Sequence, residues 1–176
     1  MTRPMQTSAG LVDLTTIDAF DVLGPTVKFL TPFTGSDEAP CIIHGVIPPG
    51  GIVPLHTHRD PEIFVCRSGR AEGLSEQGEG FRWIAMQPGD VFYVPGGAKH
   101  AFRNRTSEPA SSMIVTTERL GSFLRQVSLP EGDPAATALS PARVEHFLKT
   151  ADDYGYWIAS PEENERLGLA LPVEVV

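Results

Sequence analysis

Short apolar runs broken by glycine and proline recur through the first two-thirds of the chain. Residues 41–47 read as a strand, stopped by Pro48-Pro49-Gly50-Gly51. Residues 52–58 and 62–66 read as two more strands, joined by the turn Arg59-Asp60-Pro61. The second of these alternates side chains with the period of two that half-buried strands show. Residues 71–75 and 81–85 flank the turn-rich stretch 76–80 and predict a hairpin. Pro88-Gly89-Asp90 and Pro95-Gly96-Gly97 isolate residues 91–94 and 100–104 as strands, and 111–117 reads as the last. A smaller hairpin is expected earlier, from Val22-Leu23 through Gly24-Pro25 to residues 26–30.

The pattern changes near Gly121. Ser140-Pro141 opens a helical stretch to Thr150, with serine as cap and proline at the first helical position. Val144, Phe147, Leu148 and Ala151 fall on one face of it. Ser160-Pro161-Glu162-Glu163 repeats the start signal with capping-box spacing. The expected organisation is therefore an N-terminal arm at 1–20, a β-barrel domain at 21–125, and a loop and helical tail at 126–176.

Composition narrows this picture little but excludes some classes. A chain of 176 residues suffices for one domain with a real core. A formal net charge of -8 and the lack of any basic run argue against a nucleic-acid surface. Met1-Thr2-Arg3-Pro4 lacks the apolar core of a signal peptide, and no apolar run reaches the length of a membrane span. A cytoplasmic protein without nucleic-acid or membrane partners is expected. Cys41 and Cys66 lie in apolar strands and read as buried thiols.

The chemistry lies in two segments. His56 and His58 are two apart on a strand, so both project from one face. The Pro61 turn brings Glu62 back beside them, and His100 must be delivered by the fold. Alone, each piece is ordinary surface polarity. Together they form a mixed nitrogen and oxygen donor set that suits one divalent transition metal: Fe, Mn, Ni, Co or Zn.

The spacing then resembles that of the cupins. Gly50, His56, His58, Glu62 and Gly69 meet every element of the first cupin motif, and Gly89, Pro95, Gly97, His100 and Asn104 meet every element of the second. The resemblance implies an all-β jelly-roll barrel, with His56, His58, Glu62 and His100 holding a metal inside it. The string His100-Ala101-Phe102-Arg103-Asn104 and the Tyr154-Gly155-Tyr156 tail are similar to the quercetinase-like cupins. That similarity implies a metal-dependent dioxygenase acting on a small aromatic or enol-type substrate, with Glu62 as a base. Two alternatives use the same barrel: a Lewis-acid isomerase, lyase or decarboxylase, and a non-catalytic ligand-binding protein. Pairing through open sheets would give a homodimer.

Strand alternation puts Phe64 and Cys66 on the face of Glu62, and Phe102 on the face of His100. Tyr93 is expected to point inward and to donate a hydrogen bond to a bound oxygen species, which makes it the second catalytic candidate beside Glu62. His44 and His146 fall outside both motifs and are expected to be structural or exposed. Trp83 is expected in the core or at a dimer face.

Overall fold

The apolar runs become two antiparallel sheets in the computed structural model, which describes residues 9–78, 80–136 and 139–169. The first eight residues of the expected arm and the last seven of the expected tail lie outside the described residues. The strands in chain order are β1 (Phe20–Asp21), β2 (Thr26–Phe29), β3 (Pro40–Ile47), β4 (Ile52–Thr57), β5 (Glu62–Ser68) and β6 (Ala71–Gln77). They continue as β7 (Gly80–Met86), β8 (Val91–Val94), β9 (His100–Arg103) and β10 (Ala110–Thr117). After β10 come helix α1 (Glu118–Val127), β11 (Leu129–Pro130), α2 (Pro141–Asp153), β12 (Trp157–Ile158) and α3 (Pro161–Arg166).

One sheet has the order β11-β1-β2-β3-β10-β5-β8, and the other β12-β4-β9-β6-β7. Consecutive strands are thus dealt to both sheets, which is jelly-roll connectivity. Side chains obey the period of two. Along β5, Glu62, Phe64 and Cys66 are buried, while Ile63 and Val65 are exposed. Phe64, Cys66, Met86, Val94 and Phe102 form one core cluster between the sheets. The Phe64 and Phe102 rings meet at 4.4 Å between centroids.

Three features differ from the sequence reading. The first hairpin starts earlier, at Phe20, and its turn holds Leu23 at φ 56°, the one non-glycine with positive φ among the described residues. That left-handed conformation costs an ordinary side chain about 1–2 kcal/mol. Helix α1, capped by the Thr117 side chain, follows β10 directly. The sequence hid it because Gly121 is a poor helix former. Packing explains the glycine, since a Cβ there would lie 2.7 Å from Cys41 Sγ.

The tail is not appended to the barrel but woven into it. β11 pairs with β1, and β12 pairs with β4, placing Ile158 opposite His56. Buried Asn164 of α3 accepts the Leu55 N–H at 2.8 Å through Oδ1 and donates to the Ala159 and Ser160 carbonyls. Trp83 Nε1 donates to the Leu167 carbonyl at 3.2 Å, and the Arg103 guanidinium stacks 3.9 Å from its ring. Trp83 therefore holds the tail against β7. No helix among the described residues is long and apolar enough to cross a membrane.

Candidate metal centre

His56 is delivered by β4, and His100 faces it directly across the ladder on β9. Their rings lie 4.1 Å apart between centroids, and the His58 ring lies within 5.3 Å of both. Glu62, at the start of β5, closes the set. The nearest donor atoms of these four residues all fall within 4.8 Å of one another. The four residues expected as ligands are therefore brought together.

Hydrogen bonds set the ring tautomers. His56 Nδ1 lies 2.7 Å from the Pro54 carbonyl, and His100 Nδ1 lies 3.0 Å from the Ala98 carbonyl. A carbonyl only accepts, so each Nδ1 carries the proton and each Nε2 turns a lone pair to the centre. Glu62 Oε2 lies 3.0 Å from His100 Nε2 and 3.3 Å from His58 Nε2. Lone pairs on nitrogen thus face lone pairs on a carboxylate oxygen. Only a proton or a cation between them reconciles that arrangement. Neither nitrogen of the buried His58 ring has a hydrogen-bond partner. The donor set fits a divalent ion.

The electrostatics differ from residue to residue. Burial, with the neighbouring His100 and His58, holds the His56 imidazole well below its ordinary value, so it is neutral as a ligand must be. Burial alone would lift the Glu62 carboxyl, but the imidazoles of His100 and His58 outweigh it and keep it ionised. Burial would likewise lower the His58 imidazole, and the adjacent Glu62 carboxylate reverses this and raises it.

Behind the ligands lies a network that the sequence reading assigned elsewhere. Asp60, in the turn between His58 and Glu62, is almost fully buried. It accepts from Tyr156 at 2.7 Å, Thr117 at 2.5 Å and Arg119 at 3.0 Å. Arg119 also donates to the Tyr154 carbonyl. The Tyr156 ring lies 5.1 Å from that of His58. The tail thus reaches the metal turn through one carboxylate. The signal available was an aspartate before a proline, which reads as a turn, and an aromatic pair too far along the chain to place.

Tyr93 does not reach the site. It pairs with Ile63 on β8, turns to the outer face and is 61% exposed, while its neighbours Phe92 and Val94 face inward. This register is opposite to the one expected, so Tyr93 cannot act on anything bound at the donor cluster. Phe64, Cys66 and Phe102 do face inward. Burial raises the Cys66 thiol and pushes that of Cys41 up to about 11. Both thiols stay protonated and unreactive at neutral pH. His44 points out of β3 beside Lys28, and exposed His146 lies 3.0 Å from the Gln126 carbonyl. Neither joins the donor cluster.

The cluster opens into a cavity of about 440 Å³. Its walls are mostly apolar, and among the described residues no lysine or arginine lines it. Among the described residues, His56, His58, Glu62 and Tyr156 are the titratable side chains that line it.

Residues 43–116 match the family model of the cupin domain. No curated protein matches the chain. Among solved structures, a polyketide cyclase, RemF from Streptomyces resistomycificus, superposes with a TM-score of 0.55 at 18% identity, over 62% of this chain and 80% of that one. A cupin-superfamily sugar phosphate isomerase from Silicibacter pomeroyi gives 0.52 at 24% identity, over 61% and 75%. A predicted oxalate decarboxylase from Thermotoga maritima gives 0.51 at 20% identity, over 61% and 98%. At such identities these likenesses speak for the fold. The family model covers the very strands that carry the four donors, so residues 43–116 match a cupin domain, and the fold is a single cupin-type barrel with the tail built into it.

Proposed function

We propose that this chain is a metal-dependent dioxygenase of the quercetinase-like kind, acting on a small aromatic or enol-type substrate. The observation that carries this reading is the cavity. It runs from a histidine and carboxylate donor set, with His56 held neutral, into walls that carry no cationic side chain among the described residues. A sugar phosphate or a dicarboxylate would find no lysine or arginine among the described lining residues to offset its charge, whereas an uncharged aromatic enol would be desolvated at little cost.

A divalent ion held by His56, His58, Glu62 and His100 would supply Lewis acidity and open positions for small oxygen ligands. The chain's own residues supply the rest. The Pro54 and Ala98 carbonyls lock the rings of His56 and His100 in the required tautomer. Glu62, held ionised beside the imidazoles of His100 and His58, is placed to take the proton of a substrate hydroxyl on its carboxylate. Phe64 and Phe102, buried with their rings in tilted contact, offer aromatic surface next to it and exclude water.

Oxygen uptake tests the reading. Metal-loaded protein should consume dioxygen with a member of a flavonol, catechol and β-diketone panel, and His100→Ala should lose both bound metal and uptake. Turnover without oxygen uptake would instead establish a Lewis-acid isomerase, lyase or decarboxylase on the same donors.

We further propose that two copies of the chain pair through the outer face of the seven-stranded sheet. Ile63, Val65, Val91 and Tyr93 are all at least a third exposed, and they are register neighbours: Ile63 opposite Tyr93, and Val65 opposite Val91. Val115 and Met113 of β10 continue the face in register. β8 is the sheet's edge strand, and an uncovered apolar edge invites pairing.

A further inference from the structure

The cavity does not end at the barrel. Its inner walls are Phe64, Met86 and Phe102 beside the donor cluster. Its outer walls come from elsewhere in the chain: Leu23 from the β1–β2 turn, Phe123 and Leu124 from α1, and Phe147 and Leu148 from α2. The histidines and Glu62 sit at the barrel end, and the outer walls named here are wholly apolar. Leu148 lines the cavity while remaining 47% exposed, which places the mouth at α2.

Leu23 carries the second observation. Its backbone is left-handed, which favours glycine, yet the chain keeps a leucine there, at a position that lines the cavity. Strain retained at a side chain that lines a binding space points to a role for that side chain.

We propose that the outer half of the cavity is a second binding compartment, which takes the hydrocarbon body of the substrate, and that Leu23 sets how much of that body fits. The ligand is then an uncharged molecule with an oxygen donor at one end and an extended apolar body, threaded from α2 to the donor cluster. The inference rests on the proposed function for what the inner end binds, and not for what reaction follows.

The test is binding under nitrogen, so that no turnover enters the readout. A series of 4-alkylphenols from ethyl to nonyl displaces the neutral fluorophore N-phenyl-1-naphthylamine from metal-loaded protein. Affinity is expected to rise about fourfold per methylene until the compartment fills. Nonylphenol analogues ending in a carboxylate should bind at least about tenfold more weakly, since a charge in an apolar wall is left unpaired. Leu23→Gly should melt no lower than the parent, because its backbone is relieved. It should weaken nonylphenol about tenfold and ethylphenol less than about twofold, in line with the methylenes left without a wall. Leu148→Ala, at an exposed helix position, should show the same selective loss. A flat chain-length series, equal losses for short and long phenols in both variants, or a lower melting temperature for Leu23→Gly would overturn the proposal. Oxygen uptake with a flat series would overturn this inference alone. A steep series without uptake would leave it standing and remove the dioxygenase reading.

Discussion

Tyr156 shows how a single hydroxyl can matter to a site it does not enter. Its oxygen donates to Asp60, whose backbone sits between two ligands, and its ring lines the cavity beside His58. Burial and the Asp60 carboxylate raise the Tyr156 hydroxyl far above its ordinary value, so it remains a donor. Burial alone would raise the Asp60 carboxyl, but the hydrogen bonds from Thr117 and Tyr156, with the Arg119 charge, outweigh it and hold it below its ordinary value. A carboxyl depressed in the folded state adds stability that is full above its unfolded value, about 4, and fades as pH falls through the folded one. Tyr156→Phe should therefore cost about 1.5–3 kcal/mol near pH 7. The gap to the parent should close below about pH 4, as read by urea unfolding across a pH series. A gap that stays constant into acid would mean that the hydroxyl does not act through the carboxylate.

Among elements, the turn between β8 and β9 governs the turn between the ligands. The Gly97 N–H donates to the His58 carbonyl at 2.7 Å, and a Cβ at Gly96 would lie 2.2 Å from the Arg59 carbonyl oxygen. The two turns are pressed together backbone to backbone, so no side chain fits between them. Gly96→Ala should displace residues 58–62. The expected cost is about 1–3 kcal/mol of stability, as in other overpacked sites, with roughly 10–100-fold weaker metal binding. Thermal melts and chelator competition measure the two effects. Unchanged metal affinity would show that the ligand turn is held by other contacts.

How far the sequence could be read divides at this level. His56, His58, Glu62 and His100 were legible because each motif is local and its glycine and proline spacing encodes strand and turn geometry. The alternation along β5 gave the inward faces of Phe64 and Cys66 for the same reason. Tyr93 failed because a strand of four residues between two turns leaves the register undetermined by one position, and one position reverses every side chain. Helix α1 failed because Gly121 answers to a contact with Cys41, 80 positions away, rather than to local propensity. The Asp60 network failed because its members lie in three separate stretches of chain.

At the scale of the whole molecule, the two sheets do different work. The five-stranded sheet carries three of the ligands on or beside β4 and β9 and is sealed at β4 by β12. The seven-stranded sheet keeps an apolar outer face around Val65 and Tyr93. Sedimentation should give a dimer at micromolar concentration, and Val65→Lys with Tyr93→Lys should give a folded monomer that still binds metal. A monomeric parent protein would remove the proposed pairing.

The seam between β4 and β12 also has a bearing on when the site can come into being. His56 lies on a strand whose free edge is closed by residues 157–159, and Asn164 caps the same strand at Leu55. During synthesis, about a hundred residues must follow His56 from the ribosome before that edge is satisfied. All four ligands will have been made long before then, yet their scaffold is still open. Ion capture is thereby tied to the last steps of folding, and a nascent chain halted ahead of β12 offers the ligands without the geometry that makes them a trap.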